Sequence, residues 1–94
     1  MFITDLQILE HPKSAICEDK SLVSLNVSAV GPGPLSYRWQ RHGDDIDEKV
    51  CTGVDEPTVT IPYFSLKNEG QYICEVKSND ESVKSDPAKL ELSE

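Results

Sequence analysis

Asn68-Glu69-Gly70-Gln71-Tyr72-Ile73-Cys74-Glu75-Val76 is the stretch that decides the fold. Within it Tyr72, Cys74 and Val76 alternate with Gln71, Ile73 and Glu75. Successive side chains of a strand leave opposite sides of the backbone, so period two marks a strand with one face buried. An amphipathic helix would instead repeat its apolar positions every three to four residues. The same alternation recurs on both sides of this stretch. Upstream run Val23-Leu25-Val27-Ala29, then Leu35-Tyr37-Trp39, then Val59-Ile61. Downstream run Ala88-Leu90-Leu92, and near the start Leu6 and Ile8 lead into His11-Pro12. No long stretch keeps a helical period.

The breaks between these runs are turns. Gly31-Pro32-Gly33-Pro34 combines residues without an amide donor and residues tolerant of positive φ. Arg41-His42-Gly43-Asp44-Asp45 is a second turn, and Ser78-Asn79-Asp80-Glu81 is a hairpin tip. About seven short strands at this spacing predict an antiparallel sandwich or barrel. Pro12 and Pro87 interrupt strands, which suits edges or bulges, because a central strand would lose a ladder bond.

The chain has 94 residues, enough for one core. It is read as a single domain over residues 1–94, with its core from about Ile3 to Leu92. No apolar run approaches the roughly 20 residues of a membrane helix, so membrane insertion is not expected. Nine Lys and Arg against seventeen Asp and Glu give a net charge of −8. That field repels phosphate backbones, so nucleic acid is not an expected partner. It also favours a dispersed monomer. Three cysteines are an odd number, so at least one is outside any intramolecular bridge.

Trp39 lies 29 residues before Asn68, and Asn68-Glu69-Gly70-Gln71-Tyr72-Ile73-Cys74 resembles the D-x-G-x-Y-x-C signature of immunoglobulin domains, with Asn for Asp. Val23-Ser24-Leu25-Asn26-Val27-Ser28-Ala29-Val30-Gly31 is similar to that family's strand B. Thr58-Val59-Thr60-Ile61 followed by Phe64 is similar to its strand E. The resemblance implies an all-β, immunoglobulin-like Greek-key sandwich of two antiparallel sheets, with about seven to eight strands. Its hallmark positions here are Val27, Trp39, Gly70, Tyr72 and Cys74. It implies that Tyr72 forms the tyrosine corner. The short span from Val27 to Cys74 and the Pro12 break resemble the I-set or C2 type.

One departure stands out. The family's strand B cysteine position holds Val27, twelve residues before Trp39. The B–F bridge therefore cannot form, and Cys74 is expected in the core as a thiol. Cys17 falls in strand A′ and Cys51 in a loop after the C–C′ turn, segments not expected to be neighbours. Disulfide geometry is strict, so the domain is expected to be disulfide-free.

Unbridged thiols in a small domain suit a reducing compartment, so a cytoplasmic location is expected. The Asn26-Val27-Ser28 sequon supports the extracellular alternative. Asp44-Asp45-Ile46-Asp47-Glu48 lacks the order and central Gly of a calcium loop and reads as a solvated acidic turn. His11 and His42 lack metal-site spacing. No nucleophile elbow or phosphate loop is present, so neither catalysis nor a cofactor is expected.

The expected role is non-catalytic: a protein-interaction, scaffold or spacer domain of a larger intracellular protein. Two alternatives stand beside it. One is an extracellular adhesion or receptor domain. The other is a regulatory domain attached to an enzyme such as a paracaspase or kinase. Expected contact residues are Asp44, Asp45, Asp47 and Glu48, which suit a basic partner, and Tyr63 as an aromatic anchor. The A′ and G edges are also open to an added strand.

Overall fold

The computed structural model describes residues 5–46, 49 and 51–93. Ile3, Asp47 and Glu48 lie outside the described residues. Among the described residues the alternating runs become ten strands: β1 Gln7–Glu10, β2 Ala15–Cys17, β3 Val23–Asn26, β4 Ser28–Val30, β5 Leu35–Arg41, β6 Asp44–Asp45, β7 Thr58–Ile61, β8 Gly70–Ser78, β9 Glu81–Lys84 and β10 Ala88–Leu92. The expected seven or eight strands become ten because three of them are broken. Pro12 separates β1 from β2, Val27 separates β3 from β4, and Ser85–Pro87 separates β9 from β10.

One layer holds the pairs β1–β4 and β3–β7. The other runs in the order β2-β10-β8-β5-β6, with β9 also on β8. The long β5–β8 pair is its spine, with Trp39 opposite Cys74. All these pairs are antiparallel except β2–β10, which is parallel. The reason is the proline. Pro12 has no N–H to continue the β1 ladder, and the chain crosses to the second layer there. It then runs alongside β10 in the same direction.

The inner faces close on Trp39, Phe64, Tyr72, Ile61, Val59, Val76, Leu90 and Cys74, all essentially inaccessible. Each such aliphatic or aromatic side chain contributes roughly 1.5–3 kcal/mol. Ile8 is only half-buried at the β1 edge, where it packs against the core. Cys51 lies outside the strands, as expected, yet it is 2 % exposed and belongs to the core. The segment folds inward, with Thr52 bridging Thr60 of β7. No disulfide links the described residues. Val27, 2 % exposed, and Cys74 fill the core instead.

Two hairpins follow their sequence cues. His42 and Gly43 both take positive φ, so the chain turns tightly between Arg41 and Asp44. Asn79, also at positive φ, turns β8 into β9.

Burial pushes the Cys74 thiol up to about 11. The neutral thiol is thus favoured in the folded state. Its stabilising share is complete below the ordinary thiol range near 9 and is lost as pH rises through 11. The expected loss is on the order of 2–3 kcal/mol. Urea titrations from pH 7 to 11 check this: wild type should lose more stability across that window than Cys74→Ala.

Candidate functional site

A concavity lies at one end of the sandwich. It has a volume of about 570 Å³ and gathers β5, β6 and the segment after β7. Its floor is built by the tyrosine corner. The Tyr72 hydroxyl donates to the Asn68 carbonyl. Desolvation by burial pushes that hydroxyl up to about 12, so it remains a donor at neutral pH. Asn68 closes a 3-10 turn, Leu66–Asn68, and its Oδ1 accepts from the Ser65 N–H at 2.9 Å and the Ser65 hydroxyl at 3.2 Å. The Asn68 amide therefore caps this turn.

Arg41, last in β5, fastens the wall. Its Nε and Nη2 donate to the Glu69 carbonyl at 2.9 and 2.6 Å. The Glu69 carboxylate in turn accepts from the Leu92 N–H at 2.6 Å. Gly70 is required at the next position. It sits at φ +146, and a Cβ there would collide with the His42 ring.

The rim carries the chemistry. Asp44 and Asp45 are exposed on one side, and Tyr63 is 69 % exposed on the other. Asp45 Oδ1 accepts from Gln40 Nε2 at 3.1 Å, and its Oδ2 lies 3.7 Å from Arg38 Nε. Lys67 also borders the groove. Asp44, Asp45 and Tyr63, distant in sequence, therefore line one groove. Arg41 and Asn68 were not singled out in sequence as site-builders. Arg41's place directly before the His42-Gly43 turn is the signal that could have marked it.

The remaining hallmark residues serve the core. Trp39 Nε1 donates to the Glu56 carbonyl at 2.8 Å. The Cys74 N–H donates to the Ser85 hydroxyl at 2.9 Å, satisfying the ladder where β9 and β10 separate. Away from the groove, charges on the outer sheet face compensate one another in register. Arg38 stands opposite Glu75, which stands opposite Lys84, and Lys89 lies 3.1 Å from Glu91. Among the described residues, no group of three His, Cys, Asp or Glu could hold a metal ion. No helix among them is long and apolar enough to cross a membrane.

No family model matches the chain. A mouse protein, mucosa-associated lymphoid tissue lymphoma translocation protein 1 homolog, is 29 % identical over 87 residues. That match takes in 93 % of this chain but only 10 % of the mouse protein. Solved structures share the architecture. The N-terminal Ig1-2 module of the Drosophila receptor protein tyrosine phosphatase DLAR superposes with a TM-score of 0.88 at 15 % identity, covering 98 % of this chain and 47 % of that one. Titin domains Z1Z2 in complex with telethonin give 0.81 at 19 % identity, covering 99 % and 50 %. The titin M3 domain gives 0.81 at 16 % identity, covering 97 % and 99 %.

Proposed function

We propose that this immunoglobulin-like sandwich is a non-catalytic protein-binding domain of a larger intracellular protein, and that its end groove receives a basic segment of a partner. The observation that carries this reading is the meeting of Asp44, Asp45 and Tyr63 on one groove with a hydrogen-bonded floor. A cationic side chain entering it would meet two carboxylates and an aromatic face. Aromatic faces attract cations, and a preformed groove lowers the ordering cost of binding. Asp47 and Glu48 extend the same acidic run in sequence. The net charge of −8 speeds encounter with a basic partner. Buried, unbridged Cys17 and Cys74 support a reducing compartment.

Isothermal titration with a hexa-arginine peptide at physiological salt tests the groove. Asp44→Lys with Asp45→Lys should weaken binding at least tenfold, and Tyr63→Ala several-fold. Equal binding by wild type and these variants would mean that the overall charge attracts the peptide and the groove does not. A second reading, a regulatory domain attached to an enzyme, is favoured by the likeness to a module of a receptor protein tyrosine phosphatase. The groove would then hold a basic segment of the same polypeptide.

A further inference from the structure

Strand β2 lies at the opposite edge of the six-stranded layer from the groove. Open strand edges invite pairing with other chains, and natural proteins guard them with charges, prolines, bulges or covering segments. Other edge strands here are guarded in those ways. β1 ends in Glu10, shifts register between Ile8 and Glu10, and is followed by Pro12. β6 consists of two aspartates. β9 begins with Glu81 and ends with Lys84. The outer side of β7 is met by Thr52, with Thr52 N–H on the Thr60 carbonyl at 2.9 Å and the reverse bond at 2.8 Å. β2 reads Ala15-Ile16-Cys17, with no charge, no proline and an unbroken register on β10.

The pairing fixes which way its backbone points. The Cys17 carbonyl accepts from the Ser93 N–H at 2.7 Å, so Cys17 faces β10. Backbone groups of a parallel strand face its neighbour at every second residue. Ile16 therefore turns its N–H and C=O to the open side. Its side chain is 71 % exposed. A concavity flanks it on each side. One, of about 330 Å³, is bordered by Ser14, Ala15 and Lys89, and the other, of about 430 Å³, by Glu69, Leu92 and Ser93. Glu91 borders both, and Glu18 and Asp19 follow β2 directly. The edge is thus apolar at its centre and acidic at its Cys17 end.

We infer that β2 is a docking edge for an extended, cationic segment of a second protein, which adds as a strand through Ile16. Main-chain bonds to the Ile16 N–H and C=O would hold the segment. An apolar side chain would pack on Ile16, and a Lys or Arg would sit beside Glu18 and Asp19. Added strands take affinity from the backbone and specificity from such flanking pockets. Charge decides against a second copy as the occupant, since each copy carries −8.

Selection of a phage-displayed random twelve-residue peptide library on the immobilised domain tests this. Enriched peptides should alternate apolar residues and carry net positive charge. The synthesised best binder should lose at least tenfold in affinity to Ile16→Lys and to Ile16→Pro, which removes the open N–H. Ile16→Thr, milder at an exposed site, should lose several-fold and serves if either variant melts early. Asp44→Lys should leave this binding unchanged, which separates the edge from the groove. Hydrogen exchange at the Ile16 amide should slow on binding. The inference is overturned if no peptide enriches, if binding survives the Ile16 substitutions, or if the enriched peptides are acidic or neutral. It is equally overturned if the wild type sediments as a dimer that Ile16→Lys makes monomeric, because the edge would then belong to a second copy.

Discussion

Trp39→Ala should leave the domain only marginally folded at 25 °C, with a loss of about 3–5 kcal/mol from packing alone. The indole is wholly inaccessible and sits mid-way along β5, opposite Cys74 on β8. Truncation empties the centre of the layer interface. The surrounding strands are held by their ladders and can collapse only in part, which puts the loss toward the upper end of that range. A second cost comes from the indole Nε1, whose bond to the Glu56 carbonyl at 2.8 Å disappears. A lost bond of this kind costs about 1 kcal/mol, and more where the acceptor stays buried. Single domains have only about 5–15 kcal/mol to lose. Urea denaturation should show a sharply lower midpoint with a similar slope. Trp39→Phe should recover much of the packing and none of the hydrogen bond. A loss below about 1 kcal/mol for the alanine variant would show that the core is not centred on Trp39.

The placement of Trp39 was legible because alternation fixes which face a side chain takes, and β5 keeps it unbroken from Leu35 to Gln40. The same holds for Tyr72, Cys74 and Val76 on β8. Legibility failed where alternation stops. Cys51 lies between turns, with no periodic neighbours to assign it a side, and only the tertiary bridge of Thr52 to Thr60 carries it inward. Ile8 had the right pattern but sits on an edge strand, where one flank stays open to water. The parallel β2–β10 pair was half legible: Pro12 marked the break, while the direction of the following strand is a property of the whole sandwich. The groove was legible as residues and illegible as a site. Asp44, Asp45 and Tyr63 could each be singled out by charge or aromatic character. Their meeting depends on two bonds: the local Tyr72–Asn68 bond, four residues apart and implied by the signature around it, and the grip of Arg41 on the distant Glu69 carbonyl, which no local pattern encodes.

Val27→Cys should convert the domain into one that gains stability on oxidation. Val27, between β3 and β4 of one layer, and Cys74, on β8 of the other, are both buried members of one core, and the Trp39 indole stands opposite Cys74. A bond between these positions would close a loop of 47 positions. By the chain-entropy relation, such a loop removes about 4 kcal/mol of unfolded-state freedom. Two terms reduce this. Replacing Val by Cys removes a methyl-sized volume from the core, at about 1 kcal/mol, and any misfit to the strict bond geometry costs more. The net expectation is a gain of about 2–3 kcal/mol for the oxidised variant over wild type. When reduced, the same variant should be about 1 kcal/mol less stable than wild type. Thiol titration under denaturing conditions should find two fewer reactive groups after oxidation, and dithiothreitol should restore them and reverse the gain. The raised Cys74 value means that it ionises poorly at neutral pH, so bridging should be slow there and faster toward pH 9. A variant whose thiol count and melting temperature ignore oxidant, even at that pH, would show that Val27 does not stand opposite Cys74. The wild-type core would then owe its cohesion to packing between other pairs. If the bridge forms and stabilises as expected, the native sequence is shown to forgo an available increment of stability.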